Sequence, residues 1–175
     1  MGKIVSLSQY VAYPTLNVSK DISNGDTEDI ISVILKDDVE AAKAKATRQF
    51  AKLFETSDEY ETCRKIYANV KKNVVYEEDE VNSEVIRMPA ATIYTKTGDC
   101  EDFSLLIADL LRGVHGGKIR VEFWLISQNF LNRSPHHIFP VAYLSDGTQV
   151  IMDAVFDSFD VAPMFFYKYV YDAAK

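Results

Sequence analysis

Two cysteines, three histidines and one tryptophan are all that 175 residues carry of these types, and each scarcity closes a route. Cys63 and Cys100 are 37 positions apart, which builds neither a disulfide framework nor a zinc site. The net charge is −7 and no basic cluster occurs, so a nucleic-acid backbone is excluded as the natural partner. No apolar run approaches the roughly 20 residues that span a bilayer, and no secretory-type apolar segment stands near Met1. Neither an internal repeat nor a low-complexity linker is present. The expectation is one domain over residues 1–175 that uses no membrane and suits a reducing compartment.

The hydrophobic content of 47% and charged content of 26% are those of an ordinary packed domain. Residues 1–25 show no sustained period and read as an extended arm with one short strand. Residues 27–88 read as helical: a short helix over Thr27–Leu35, then a longer one N-capped by Asp37 or Asp38, with Val39, Ala42, Ala46, Phe50 and Leu53 on one face. Ser57 can cap a third helix, whose buried face holds Cys63, Ile66, Tyr67 and Val70. Cys63 is thereby a structural hydrophobe. The acidic run Glu77-Glu78-Asp79-Glu80 lacks the alternating oxygen ligands of a calcium loop.

Residues 89–159 carry the chemistry. Pro89 suits the first turn of a short helix, and Phe103, Leu106, Ile107, Leu110 and Leu111 mark a longer one packed on one side. The period then changes to two. A strand over Ile119–Ile126, a second from about His137 to Leu144 and a third over Thr148–Val155 make an antiparallel sheet, so the class is α+β. Met164 to Tyr171, within the aromatic segment 160–175, reads first as a last strand or helix and second as a partner-binding tail.

The longer helix opens at Gly98-Asp99-Cys100-Glu101-Asp102. Asp99 can cap it, with Asp102 three residues on as a capping-box-like partner, and the helix N-terminus favours a thiolate at Cys100. The three acids beside it oppose that anion. Cys100 therefore needs a base. His115 sits in a glycine-rich helix exit. His136 and His137 point to opposite faces of their strand, so they cannot share one metal ion, and no metal is expected. If Leu144 pairs with Thr148 across Ser145-Asp146-Gly147, Phe139 lies opposite Asp153 and His137 lies diagonally from it on the same face. A two-residue turn would put the pair on opposite faces. Pro140 sits awkwardly in this strand, because it lacks an N–H.

Gly98-Asp99-Cys100-Glu101-Asp102, then His137-Ile138-Phe139, then Met152-Asp153-Ala154, in that order, resembles the core of the transglutaminase-like superfamily, and compact microbial and phage members in particular. The resemblance covers roughly Pro89 to Phe159. It implies a papain-like Cys-His-Asp core in which N-terminal helices, including the nucleophile helix, pack on a small antiparallel sheet. Within it Cys100 would be the nucleophile, His137 the base and then the acid, and Asp153 the orienter of the imidazole. It also implies a side-chain donor for the oxyanion, for which Tyr94 is the candidate, and no cofactor. Glu101, Ile138 and Ala154 depart from the Trp, aromatic and Pro residues frequent in the family.

Two readings of function follow. In the first, the chain is a cysteine enzyme of protein or peptide amide bonds, working through a Cys100 thioester that water ends. In the second, it is a catalytically silent module of the same fold, such as a phage structural protein that uses its aromatic segment to bind a protein partner. A cytoplasmic location is expected for the first and a virion-associated one for the second.

Overall fold

The computed structural model describes residues 18–19, 27–44, 47–79 and 85–174. Five α-helices and eight strands occur among them in chain order: β1 (Val18–Ser19), α1 (Thr27–Ala44), α2 (Arg48–Ala51), α3 (Glu59–Asn73), β2 (Val75–Tyr76), β3 (Ile86–Arg87), α4 (Pro89–Thr95), β4 (Thr97–Gly98), α5 (Cys100–Arg112), β5 (Arg120–Ser127), β6 (His137–Tyr143), β7 (Gln149–Ile151) and β8 (Tyr167–Asp172), with a 3-10 turn at His115–Gly117 between α5 and β5. The expected extended arm lies outside the described residues except at β1, which pairs antiparallel with β3.

The centre of the molecule is α5. Its apolar residues predict a helix covered on one side, yet everything from Asp102 to Arg112 is buried. Helices α1, α2, α3 and α4 pack around it, and β6 closes the remaining side. Leu105, Leu106, Ile107, Leu110 and Leu111 are fully enclosed, each worth about 1.5–3 kcal/mol of transfer free energy. The polar positions are tolerated because each meets a partner. Asp109 accepts from Thr47 and lies 3.5 Å from Arg48, and Arg112 pairs with Asp38.

That last pair corrects the reading of the first helices. A break was expected before Asp37 or Asp38 as an N-cap, but α1 runs unbroken through both. Asp38 is buried and spends its carboxylate on Arg112 and on the Ala174 N–H, so tertiary contacts claim the side chain that a cap would use. At α3 the cap falls one residue later than expected: Asp58, not Ser57, accepts from the Glu61 N–H at 3.1 Å.

The main sheet is antiparallel in the order β7-β6-β5-β8. Ile138, Ala142 and Leu144 turn toward α5, while Phe139 and Val141 share the other face with Ile126, Trp124 and Phe165. The aromatic C-terminal segment supplies β8, the edge strand on β5. The third strand is shorter than expected. Pro140 accepts from the Met152 N–H at 3.0 Å but has no N–H to return, so pairing stops at Val141↔Ile151 and the chain peels away before Asp153.

Candidate active site

The entry to α5 is built from close backbone approach. Strand β4 lies parallel to β2, with Tyr76 beside Gly98. A Cβ on Gly98 would fall 2.6 Å from the Asp102 Cβ, so only glycine fits. Asp99 caps the helix, its Oδ1 accepting from the Asp102 N–H at 3.4 Å. The reciprocal half of the expected capping box is missing. Fully buried Asp102 instead accepts from the Arg87 backbone N–H at 2.6 Å and from Arg87 Nη1 at 2.7 Å, clamping the first turn of α5 to β3.

Cys100 is 7% exposed, and its thiol donates to Glu101 Oε2 at 3.0 Å. Burial, then the Glu101 and Asp99 carboxylates, push the thiol well above its usual range, while the Ile138 N–H at the sulfur favours the anion. Ser104 ties the same turn to β6: its hydroxyl lies 2.7 Å from the Cys100 carbonyl oxygen and 3.2 Å from that of Ile138. Glu101 itself is pushed up to about 8 by burial and by the adjacent Asp99 charge. At pH 7 it is therefore mostly neutral, and it acquires its charge as pH rises through about 8. Glu101→Gln is expected to alkylate at Cys100 as fast as wild type at pH 7 and about ten-fold faster near pH 9.5, where the wild type carries the extra negative charge. Iodoacetamide labelling read by mass spectrometry checks this. A variant slower than wild type at high pH would refute the electrostatic account.

The hairpin between β6 and β7 has the three-residue connection that the pairing of His137 with Asp153 demands. The Leu144 N–H donates to the Thr148 oxygen at 2.9 Å, and Gly147 takes φ 88°, in the left-handed region. The paired register ends at Val141↔Ile151, and its count carried two residues further sets Asp153 on the side of Phe139 and His137. His137 Nε2 meets Asp153 Oδ2 at 2.7 Å. The other carboxylate oxygen accepts from the Val155 N–H at 3.2 Å, and Asp153 is 2% exposed. Nδ1 of His137 makes no hydrogen bond among the described residues.

Around Cys100 lies a cleft of about 250 Å³ lined by Tyr76, Glu78, Asp79, Asp99, Glu101 and His136. The structure thus brings Cys100, Asp99 and Glu101 to one cleft and His137 and Asp153 to one hydrogen bond. The two groups are joined through Ile138, the neighbour of His137 whose backbone touches the sulfur. His137 stands on the other face of β6 from Ile138, and the histidine that lines the cleft is exposed His136, 3.4 Å from Gln128 Oε1. Tyr94 is 42% exposed on α4 and is not among the described residues lining the cleft. The tyrosine beside Cys100 is Tyr76, its phenol raised by burial and by the nearby Cys100 and its ring against Phe103 at 6.3 Å. Only the β2–β4 pairing places it there, and two-residue strands leave no periodic signal. Among the described residues no group of three His, Cys, Asp or Glu side chains is arranged to hold a metal ion, and no helix is long and apolar enough to cross a membrane.

The family model of the Transglutaminase-like superfamily matches residues 48–154, which include Cys100, His137 and Asp153. Among solved structures, a proposed cysteine protease from Cytophaga hutchinsonii is similar at 21% identity and a TM-score of 0.49, over 78% of this chain and 45% of that one. LapG of Legionella pneumophila is similar at 16% identity and a TM-score of 0.46, over 77% and 76% of the two chains. The chain thus spans less than half the length of the first. No curated protein matches the sequence.

Proposed function

The chain belongs to the transglutaminase-like superfamily, and from that premise we propose that it is a cysteine enzyme acting on protein or peptide amide bonds, with hydrolysis as the outcome. The observation that carries this is the His137–Asp153 hydrogen bond of 2.7 Å, made by a buried carboxylate in an otherwise apolar stretch. An ionised carboxylate so placed is costly unless paired, and it fixes the imidazole with Nε2 toward Asp153 and Nδ1 left to take a proton.

In this reading the resting thiol is neutral and held by Glu101. For the transfer the Cys100 thiol must leave Glu101 and reach Nδ1 of His137, the neighbour of the Ile138 whose N–H lies at the sulfur. The sulfur forms a bond to the carbonyl carbon as its proton passes to His137, and Asp153 stabilises the imidazolium. The oxyanion is met by the Cys100 N–H, which has no partner within α5, and by the Tyr76 phenol. The imidazolium then gives its proton to the departing amine. Water, deprotonated by His137, adds to the thioester, and the carbon–sulfur bond breaks to return the thiol.

Acylation by p-nitrophenyl acetate, followed as a nitrophenolate burst and by intact mass, tests the reading. One acetyl group is expected on Cys100 and none on Cys63, which is fully buried with its thiol pushed up to about 12. His137→Ala is expected to slow acylation by about 10²–10⁴-fold. A second reading, the silent module, is favoured by one observation, the thiol held protonated against Glu101. No burst in the wild type would decide for it.

A further inference from the structure

Asp153 and His137 are shielded at side-chain exposures of 1% and 10%, and one wall of that shield is an exposed residue. The imidazole meets two phenyl rings. Phe139 stands 5.7 Å away at 36° and is fully enclosed in the sheet. Phe156 stands 5.6 Å away at 75°, edge to face, yet is 41% exposed. An exposed phenylalanine could simply be a surface residue that touches its neighbour, but its backbone is pinned where it is. The Phe156 carbonyl accepts from the Tyr67 hydroxyl at 2.6 Å and the Val155 carbonyl from Lys71 Nζ at 2.8 Å, so α3 holds the segment after Asp153. Lys71 also pairs with Asp157 at 2.9 Å.

We propose that Phe156 is a positioning residue of the site: its ring caps the His137–Asp153 hydrogen bond against water and holds the imidazole in the plane that leaves Nδ1 free. This rests on the catalytic reading of His137. Two physical effects follow from the edge contact of Phe156. Water cannot compete for Nε2–H from the capped side, which strengthens the bond to the carboxylate by lowering the local dielectric. The imidazole also cannot turn over against these two rings without moving one of them, so Nδ1 and Nε2 keep their assignments.

The test compares Phe156→Ala and Phe156→Trp with wild type in the full chain. The readouts are the downfield proton resonance of the hydrogen-bonded ring N–H, the acylation rate against pH, and Tm. For Phe156→Ala the resonance should broaden through exchange at least about ten-fold faster, and acylation should slow by a similar factor across its pH profile. Tm should change little, because the ring is already partly exposed. Phe156→Trp should restore both. Unchanged resonance and rate in Phe156→Ala would overturn the proposal. So would loss of both together with Tm and no recovery in Phe156→Trp, which describes plain destabilisation. A wild type with no slowly exchanging resonance would also overturn it. A wild type that shows the resonance, loses it in Phe156→Ala and never acylates would sustain the cap while refuting the catalytic reading on which its purpose depends.

Discussion

Asp153→Asn is expected to slow acyl transfer to Cys100 by on the order of 10³–10⁴-fold while leaving the fold intact. Asparagine matches the shape of aspartate, so the effect must come from hydrogen-bond count. The Asp153 carboxylate accepts twice, from Val155 N–H at 3.2 Å and from His137 Nε2 at 2.7 Å. An amide has one acceptor oxygen. The backbone N–H of Val155 can only donate, whereas a neutral imidazole nitrogen can donate or accept. The imidazole therefore yields: the asparagine oxygen goes to Val155 and its NH₂ to Nε2. That forces the His137 proton onto Nδ1, the atom that takes the proton from Cys100 in the proposed mechanism. The measurement is the p-nitrophenyl acetate burst, with circular dichroism and Tm to confirm folding. A variant within ten-fold of wild type would show that the pair orients nothing and would remove Asp153 from the mechanism.

The pairing behind this prediction is legible in the sequence because its cause is local. Asp146-Gly147 sets a turn, the turn sets the register, and a period of two sets the faces, so His137 and Asp153 fall together by counting. Cys100 is legible for the same reason, through Gly98 and Asp99 at the start of α5. The class of fold follows from helices that precede strands. What counting misses is decided at long range. Tyr76 reaches the cleft through a two-residue parallel pairing with β4, while Tyr94, six positions before Cys100, is turned outward by α4. Asp38 has the identity of a cap and the position of one, yet its partner is 74 residues away. The full burial of α5 hides in the same way, since Asp102, Asp109 and Arg112 look like a solvated face until their partners are in view. Local rules thus find the cysteine at the start of α5 and the His137–Asp153 pair. The surroundings that tune them come from tertiary contacts.

Those contacts predict the largest effect on stability. Asp38→Ala is expected to destabilise the fold by about 3–5 kcal/mol, because it strands a buried guanidinium. The side chains of Asp38 and Arg112 are 1% and 6% exposed and are hydrogen bonded to each other. Asp38 Oδ2 also accepts from the Ala174 N–H at 2.6 Å, and Arg112 Nε donates to the Ala174 carbonyl at 2.7 Å. The pair therefore fastens the chain just beyond β8 to the middle of α1 and the end of α5. Arg112 already has Nη1 without a partner among the described residues, so losing Asp38 leaves it further unsatisfied. If the cost is the stranded charge rather than lost packing, Asp38→Leu combined with Arg112→Met should recover most of it. Urea unfolding measures both, read as a fall in midpoint at constant slope for the single variant and its return in the double. A loss below about 1 kcal/mol would mean that solvent reaches the pair and that the latch is a surface ion pair in energetic terms. Arg112 ends the helix that Cys100 begins, so the rate of acylation in native conditions should stay that of wild type even as the unfolding midpoint falls. A matching loss of rate would instead mean that strain at the far end of α5 is transmitted along it to the nucleophile.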